Sequence, residues 1–216
     1  MRIGIIGSGK MGQALAGLFV EAGHDVVLAN SRGPESLAEV TALLGEHAGA
    51  ADVPGAVAGS DLVILATPWG RTAEAVSSVG DWSGVVVVDT TNNRSRPGPD
   101  GLIDIGDRVS SEVVAELVPG ARLVKAFNTT PIPFLVKGLG SAAGEDNAVY
   151  IAGDDAAAKD LVGAVIASVG GEAVDTGDLH TGGWLQGMSG PLAGTLEMIT
   201  PADARERLAK ALEQVR

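Results

Sequence analysis

The sequence has no cysteine and few aromatic residues, and both absences narrow the classes of protein that it can represent. Without cysteine among its 216 residues, the chain forms no disulfide, no thiolate zinc site and no iron–sulfur centre held by thiolates. Aromatic residues make up 3% of the chain and hydrophobic residues 45%, so aliphatic side chains must fill the core. Charged residues make up 19%, a balance typical of a folded protein rather than a disordered one.

Positive charge and long apolar runs are scarce as well. The 15 Lys and Arg residues against 27 Asp and Glu give a formal net charge of −12, so we expect neither a nucleic acid nor a membrane as a partner. No apolar run reaches the roughly eighteen residues of a membrane span. The first residues have no signal-peptide pattern, and we therefore expect a cytoplasmic location. His24, His47 and His180 have no ligand-like spacing, so no metal site is predicted.

Apolar runs alternate with amphipathic segments along most of the chain. Strands are predicted at residues 2–6, 26–29, 62–66, 85–88, 122–127, 149–152 and 173–175. Helices are predicted at residues 11–22, 35–44, 71–79, 110–117 and 154–169, with a short one after the 130–133 loop that ends at Leu139 and another at 201–215. We expect Ser110 or Ser111 to cap the 110–117 helix, and Asp154 or Asp155 to cap the 154–169 helix.

This alternation predicts an α/β fold with a doubly wound, mostly parallel sheet of the Rossmann type. Residues 1–176 would form the dinucleotide-binding domain, and residues 177–216 a short helical C-terminal extension without a further strand. We expect this extension to contribute to a substrate pocket or a dimer contact.

A glycine-rich turn between the first strand and the first helix predicts a phosphate loop. Its residues are Gly7, Ser8, Gly9, Lys10, Met11 and Gly12. In this setting the first glycine allows a tight turn, the second lets backbone approach a pyrophosphate, and the third lets helix and strand pack closely. The helix N-terminus would then offer N–H groups and a positive dipole to the phosphates. A glycine turn without a ligand is the alternative.

The end of the second predicted strand indicates which dinucleotide binds. An NAD-specific fold places Asp or Glu there to bind the ribose diol, whereas this chain has Asn30, Ser31 and Arg32. Arg32 can form charge-assisted bonds to a 2′-phosphate and Ser31 can donate a hydroxyl. The residues therefore favour NADP over NAD, unless Arg32 is a solvated loop residue.

Polar residues also follow two central strands, where open α/β sheets bind ligands. Thr67 and Pro68 follow one of them and could line a ribose of the cofactor, although Pro68 could equally be a strand terminator. Asn92 follows the other and could bind the substrate or the carboxamide.

Several of these segments resemble a known family, the NADPH-dependent reductases typified by coenzyme F420H2:NADP oxidoreductase. The resemblance covers about residues 1–175, and its most particular block is Lys125-Ala126-Phe127-Asn128-Thr129. The other blocks are Arg2 to Gly12, Asn30-Ser31-Arg32, Ala66-Thr67-Pro68-Trp69, Ser110-Ser111-Glu112 and Ile151 to Asp155.

The resemblance implies hydride transfer between NADP(H) and a bound deazaflavin, coenzyme F420, in a protein that commonly forms a homodimer. By the same match, residues 9–11 would bind the pyrophosphate, and Ser31 and Arg32 would bind the 2′-phosphate. Ala126 and Asn128 would lie near the nicotinamide, although Asn128 could be a structural turn residue. No residue is identified as a catalytic acid, because two stacked rings need proximity and orientation above all.

The resemblance ends after Asp175, which leaves the hydride acceptor open. Trp184, Leu185 and Met188 are spaced as a packing or dimer face, and His180 could protonate a product or be structural. Basic residues that could attract the anionic F420 are Arg94, Arg96, Arg108 and Lys137. A related NADPH reductase of a flavin, quinone, imine or small carbonyl compound, and a non-catalytic NADP-binding module, are the competing hypotheses.

Overall fold

A single eight-stranded sheet organises the computed structural model of the chain, which describes residues 1–95, 99–140, 147–194 and 197–214. The strands are β1 Arg2–Ile6, β2 Asp25–Ala29, β3 Ala48–Ala50, β4 Leu62–Leu65, β5 Val86–Asp89, β6 Arg122–Ala126, β7 Asn147–Gly153 and β8 Gly171–Asp175. The helices are α1 Lys10–Glu21, α2 Ala38–Leu44, α3 Val53–Val57, α4 Thr72–Val76, α5 Ser110–Leu117, α6 Ile132–Lys137, α7 Ala156–Ser168, α8 Thr181–Leu185 and α9 Pro201–Glu213.

The strand order is β3-β2-β1-β4-β5-β6-β7-β8. All neighbours pair in parallel except β6 and β7, which are antiparallel. From β1 the chain first builds outward through β2 and β3 and then returns to place β4 on the other side of β1. This reversal confirms the doubly wound, mostly parallel α/β fold, and it opens a crevice at the carboxyl ends of β1 and β4.

The core lies on both faces of the sheet because side chains alternate along each strand. Ile5 packs into a cluster with Leu15 and Phe19 of α1, whereas the next residue, Ile6, packs into a second cluster with Val114 of α5. Strands covered on both faces are mainly apolar, as the four residues of β4 are. Among the residues that the structure describes, none of the helices combines the length and the apolar character needed to cross a bilayer.

Two short elements between β2 and β4 were absent from the sequence prediction. Strand β3 has the sequence Ala-Gly-Ala and is only half buried, so it lacks the large apolar side chains that mark a strand. Helix α3 has five residues; its cap, Asp52, accepts a hydrogen bond from Gly55 N, and proline stands in its first turn.

Capping and strand-end predictions had mixed outcomes. Val109, not Ser110 or Ser111, is the N-cap of α5 and makes no side-chain cap bond; the Ser111 hydroxyl is buried and donates to Leu179 O at 2.8 Å instead. Asp155 does cap α7, accepting from Ala158 N at 2.8 Å. The predicted strand 122–127 ends one residue early, because Phe127 adopts a positive φ of 61°.

Other helix boundaries differ by a few residues. Helix α4 is shorter than the predicted 71–79, and α6 begins inside the predicted 130–133 loop. Helix α9 ends at Glu213, and Val215, to which the prediction extended, lies outside the described residues.

The described part of the tail packs onto the β7–β8 end of the sheet. A cluster joins Tyr150 and Val174 of the sheet to Leu185 of α8 and to Ala204 and Ala211 of α9. Residues 177–194 and 197–214 contain no strand, and α8 is a helix that the sequence pattern did not predict. The boundary between residues 176 and 177 stays a prediction.

Candidate functional site

The phosphate loop places its glycines where side chains would collide or would obstruct a ligand. Gly7 has a φ of +113°, and a Cβ there would overlap the Ala66 carbonyl group, while a Cβ on Gly12 would overlap the Gly7 carbonyl oxygen. A Cβ on Gly9 would meet no atom within 4 Å, so the space beside this residue is open. Close packing thus accounts for two glycines, and open space beside the third leaves room for a phosphate.

The N-terminus of α1 faces this open space. Gly9 is the N-cap and makes no side-chain cap bond, and the first turn contains no acidic residue. The N–H groups and the positive end of the helix dipole therefore favour an anion here. Lys10 is exposed and Met11 is half buried in the same turn.

Asn30 connects the phosphate loop to the turn after β2. Its Nδ2 donates to Ser8 Oγ at 3.1 Å and to Ser36 Oγ at 3.0 Å, and its Oδ1 accepts from Arg32 N at 2.8 Å. The Asn30 amide thereby fixes the backbone that carries Ser31 and Arg32.

The side chains of Ser31 and Arg32 are exposed. Within the described parts of the chain, the Arg32 guanidinium has neither a hydrogen bond nor an ion pair. It is thus available to an anionic group near the end of β2.

Thr67 and Pro68 adjoin the phosphate loop, because Ala66 lies against Gly7. The Thr67 hydroxyl is 2.8 Å from the Thr72 hydroxyl, and Pro68 is exposed. Thr67 therefore has a partner within the protein, and Pro68 lies next to it at the surface.

A buried ion pair fixes the ends of β5 and β6. Lys125 Nζ donates to Asp89 Oδ2 at 2.9 Å and to Thr91 O at 2.9 Å, and both side chains of the pair are fully buried. Asp89 Oδ1 accepts from Thr91 N at 2.8 Å and from Thr91 Oγ1 at 2.6 Å. Sequence reasoning missed this pair, although a lysine within an apolar strand was a signal that it has a buried partner.

The segment after β6 joins the sheet to the tail. Phe127 is buried at its positive φ and contacts the Phe19 ring edge-on, with 6.2 Å between centroids. Asn128 Nδ2 donates to Gln186 O at 2.8 Å, and Asn92 Nδ2 donates to Asn128 O at 3.0 Å. A bulky residue in the left-handed region is strained and often marks a functional site.

Ala126 and Asn128 differ in their access to a ligand. Ala126 is fully buried in the core, so only its backbone could reach a cofactor. Asn128 is half buried, and its Oδ1 is itself buried and has no hydrogen-bond partner among the residues that the structure describes. Asn92 and Asn128, predicted to follow two separate strands, are brought together by their hydrogen bonds.

A cleft of about 420 Å³ is lined by Asn93, the residue after Asn92, and by two longer stretches of the chain. One wall is the stretch 102–110, and the other is formed by α8 and the residues that follow it. Its apolar side chains include Leu102, Trp184 and Met188, and its charged side chains are Asp104, Asp107 and Arg108. Trp184 and Met188 therefore line this cleft, whereas Leu185 packs into the core.

The other polar candidates lie elsewhere or are already paired. His180 is exposed and contacts Glu112 at 3.0 Å, outside the cleft lining. Arg108 pairs with Glu116 at 3.0 Å. Lys137 is exposed in the last turn of α6, Arg94 pairs through its backbone with Leu102, and Arg96 lies outside the described residues.

Comparison with known proteins agrees with this geometry. Residues 2–93 match the family model described as NADP oxidoreductase, coenzyme F420-dependent. A hypothetical protein from Sinorhizobium meliloti is 37% identical, with a TM-score of 0.83 over 93% of this chain and 95% of that one. A protein from Arthrobacter sp. FB24, to which an F420-dependent NADP-reductase function is ascribed, is 28% identical, with a TM-score of 0.71 over 82% and 85%.

Larger reductases share the fold. An imine reductase from Streptomyces aurantiacus is 24% identical, with a TM-score of 0.60, and the match covers 85% of this chain but only 58% of that enzyme. A reductive aminase from Aspergillus terreus, solved with NADPH, is 21% identical over 84% of this chain and 56% of that one, with a TM-score of 0.61. At these identities the likeness shows the fold alone.

Proposed function

Because the chain belongs to the family of NADP oxidoreductases described as coenzyme F420-dependent, and is an NADP-dependent oxidoreductase, we propose that it transfers hydride between NADP(H) and the deazaflavin F420. The observation that carries the proposal is the combination of an open phosphate loop with a second, ligand-sized cleft between the stretch 102–110 and residues 183–190.

The dinucleotide would lie across the carboxyl ends of β1 and β4. The backbone from Gly9 to Met11, with Gly7, Ser8 and Gly12 shaping the turn, would bind the pyrophosphate, and Lys10 would add a positive charge nearby. Ser31 and Arg32, positioned by Asn30, would bind the 2′-phosphate. This donor set fits NADP, because no carboxylate stands at 30–32 to repel the phosphate.

The nicotinamide would lie at the other end of the crevice, where the ring supplies or accepts the hydride. Thr67 and Pro68 would border its ribose, and the backbone of Ala126 and the side chain of Asn128 would lie near the ring. The strained Phe127 backbone and the Asn92–Asn128 contacts support this region as a preorganised binding surface.

The acceptor would occupy the 420 Å³ cleft, a volume within the range of small-molecule sites. Reduction consumes one hydride from NADPH and one proton from solvent, and the protein holds the two rings together and keeps water from between them. Catalysis would come from proximity and orientation rather than from a protein acid.

A second candidate acceptor is a small cationic or neutral compound, such as an imine. It is favoured by one observation: Asp104 and Asp107 line the cleft, while the positive charge of Arg108 is shared with Glu116. Negative side chains attract an iminium ion and repel an anionic acceptor.

The deciding experiment mixes purified protein with NADPH and oxidised F420 and follows the deazaflavin absorbance. Parallel reactions contain NADH, free flavin, a quinone, a cyclic imine or a small ketone. We expect rapid NADPH-dependent loss of F420 absorbance. Turnover of the imine alone would move the assignment to the second candidate. NADPH binding without turnover of any acceptor would favour a non-catalytic NADP-binding module.

The homodimer and the cytoplasmic location stay predictions. The homodimer is supported by the family resemblance, and light scattering of the purified protein tests it.

A further inference from the structure

We propose that Trp184 and Leu102 form the platform on which the flat ring of the hydride acceptor stacks, so that the cleft selects acceptors with an extended, uncharged ring system. The inference rests on the proposed function, because it assigns the surface that receives the acceptor. The two side chains come from the two different walls of the cleft, α8 and the 102–110 stretch.

The exposure of these side chains supports the assignment. Six large hydrophobic side chains are exposed within the described residues. Two of them are Leu102, which is 44% exposed, and Trp184, which is 43% exposed. Both line the same cleft. Two large apolar side chains that share a concave surface typically mark a binding site, whereas scattered ones do not.

Trp184 is exposed on a firmly packed helix. Its neighbour Leu185 is fully buried in the tail cluster. A Cβ on Gly183 would overlap the Ser111 side chain, so α8 lies directly against α5. The indole therefore projects from a rigid support, and a rigid aromatic side chain loses little entropy when it binds a ring.

The platform is also connected to the nicotinamide end of the crevice. Gln186, two residues after Trp184, accepts a hydrogen bond from Asn128 Nδ2 through its carbonyl oxygen at 2.8 Å. Asn128 in turn contacts Asn92, beside the Asn93 that lines the cleft. A ring held against Trp184 is thus positioned relative to the end of β6 by a short chain of hydrogen bonds.

The chemistry of the walls limits what can stack there. An indole face and an aliphatic side chain bind a flat ring by dispersion and offset stacking. Asp104 and Asp107 disfavour negative charge inside the cleft. The preferred ligand is a neutral fused ring whose ionised substituents, if it has any, extend into solvent.

The test measures ring binding separately from turnover. Oxidised F420 and riboflavin, an uncharged flat ring, are titrated into the full-length protein saturated with NADP⁺, and binding is followed by ligand fluorescence. The variants are Trp184→Leu and Trp184→Phe, with Leu43→Ala, an exposed leucine of α2, as the matched control. We expect Trp184→Leu to weaken the binding of at least one ring about tenfold, and Trp184→Phe and Leu43→Ala to change it less than about threefold.

Each outcome separates this inference from the proposed function. Unchanged ring affinity in Trp184→Leu, or no binding of either ring by the unaltered protein, would overturn the platform. Riboflavin binding that depends on Trp184, without any F420 turnover, would keep the platform and remove F420 as the substrate. Equal NADPH affinity in all variants shows that they fold. If Trp184→Leu fails this check, Trp184→Ala replaces it: a tenfold loss of ring affinity supports the platform, and an unchanged affinity overturns it.

Discussion

Asn30 shows how one side chain can prepare a binding site without occupying it. Its amide donates to Ser8 on the phosphate loop and accepts from the Arg32 backbone. An aspartate at this position could keep the second bond and could only accept from the Ser8 hydroxyl, and it would place a negative charge near the proposed 2′-phosphate site. The asparagine thus fixes the turn while leaving the Arg32 guanidinium free for a ligand.

Arg32 is the residue whose replacement should most change the choice of cofactor. Charge-assisted hydrogen bonds contribute roughly 1.5–3 kcal/mol, so we expect Arg32→Ala to weaken NADPH binding by about 10- to 100-fold and to leave NADH binding nearly unchanged. Calorimetric titration with both cofactors measures this. Arg205→Ala, an exposed arginine of α9 that pairs with Glu172, serves as the control; equal NADPH affinity in Arg32→Ala and the unaltered protein would refute the assignment.

Asp155 gives the fold a defined response to acid. Its carboxylate accepts from Arg122 Nε at 3.0 Å and Nη2 at 2.7 Å and caps α7, and these bonds lower its pKa from 3.8 to about 2. A depressed pKa in the folded state stabilises the protein above about pH 4, and this contribution is lost as pH falls toward 2. We expect Asp155→Asn to flatten this part of the stability profile.

Urea unfolding between pH 2 and 6 measures the effect. Asp160→Asn changes an exposed aspartate of the same helix and controls for the loss of one negative charge. A profile for Asp155→Asn as steep as that of the unaltered protein would show that the Arg122 pair has no part in acid stability.

At the scale of elements, periodicity decided what the sequence could predict. The unit β1-α1-β2 was predicted because its glycine turn, its helical stripe and its short apolar strands all agree. Strand β3 and helix α8 were missed because one has only small residues and the other, Thr181–Leu185, is too short to show a period. Their positions depend on packing against distant parts of the chain, which local pattern does not encode.

The candidate site also has one part that the sequence predicted and one part that it did not. The phosphate loop and the Asn30 turn are local in sequence, and their residues were named from it. The cleft joins stretch 102–110 to residues 183–190, so its walls are about eighty positions apart along the chain. No single sequence motif predicts it.

The ends of β5 and β6 depend on the buried Lys125–Asp89 pair. Removing one partner leaves an uncompensated charge in the core, which typically costs about 3–5 kcal/mol. We expect Lys125→Met to lower the free energy of unfolding by that amount, and Lys125→Met combined with Asp89→Asn to recover part of it, because the amide can still accept from Thr91. Urea denaturation of the single and double variants measures both changes.

A partly exposed pair provides the comparison. Lys159 pairs with Asp175 at 2.7 Å, with half of the aspartate side chain exposed, and Lys159→Met should cost less than about 1 kcal/mol. A Lys125→Met variant as stable as Lys159→Met would mean that the core adapts to the unpaired Asp89.

At the scale of the whole molecule, the tail covers the β7–β8 end of the sheet. The Tyr150 hydroxyl donates to Ala204 O at 3.1 Å, and burial raises the pKa of this tyrosine. Ala204 and Ala211 of α9 lie in the same cluster as Val174. The helix that ends the described chain therefore completes part of the core, so the tail and the sheet should unfold together.

Ala204 tests this coupling, because its methyl group is fully buried while that of Ala209 on the same helix is exposed. Ala204→Asp would bury a charge and overfill the cluster, and we expect it to cost roughly 3 kcal/mol or more; Ala209→Asp should stay within about 0.5 kcal/mol. Thermal unfolding is followed by both far-ultraviolet circular dichroism and tryptophan fluorescence. These two probes distinguish a tail that unfolds together with the sheet from a tail that unfolds separately. One shared transition, lowered in Ala204→Asp, is expected if the tail belongs to the same cooperative unit. An early transition confined to one probe would mean that the tail melts by itself and that the sheet is stable without it.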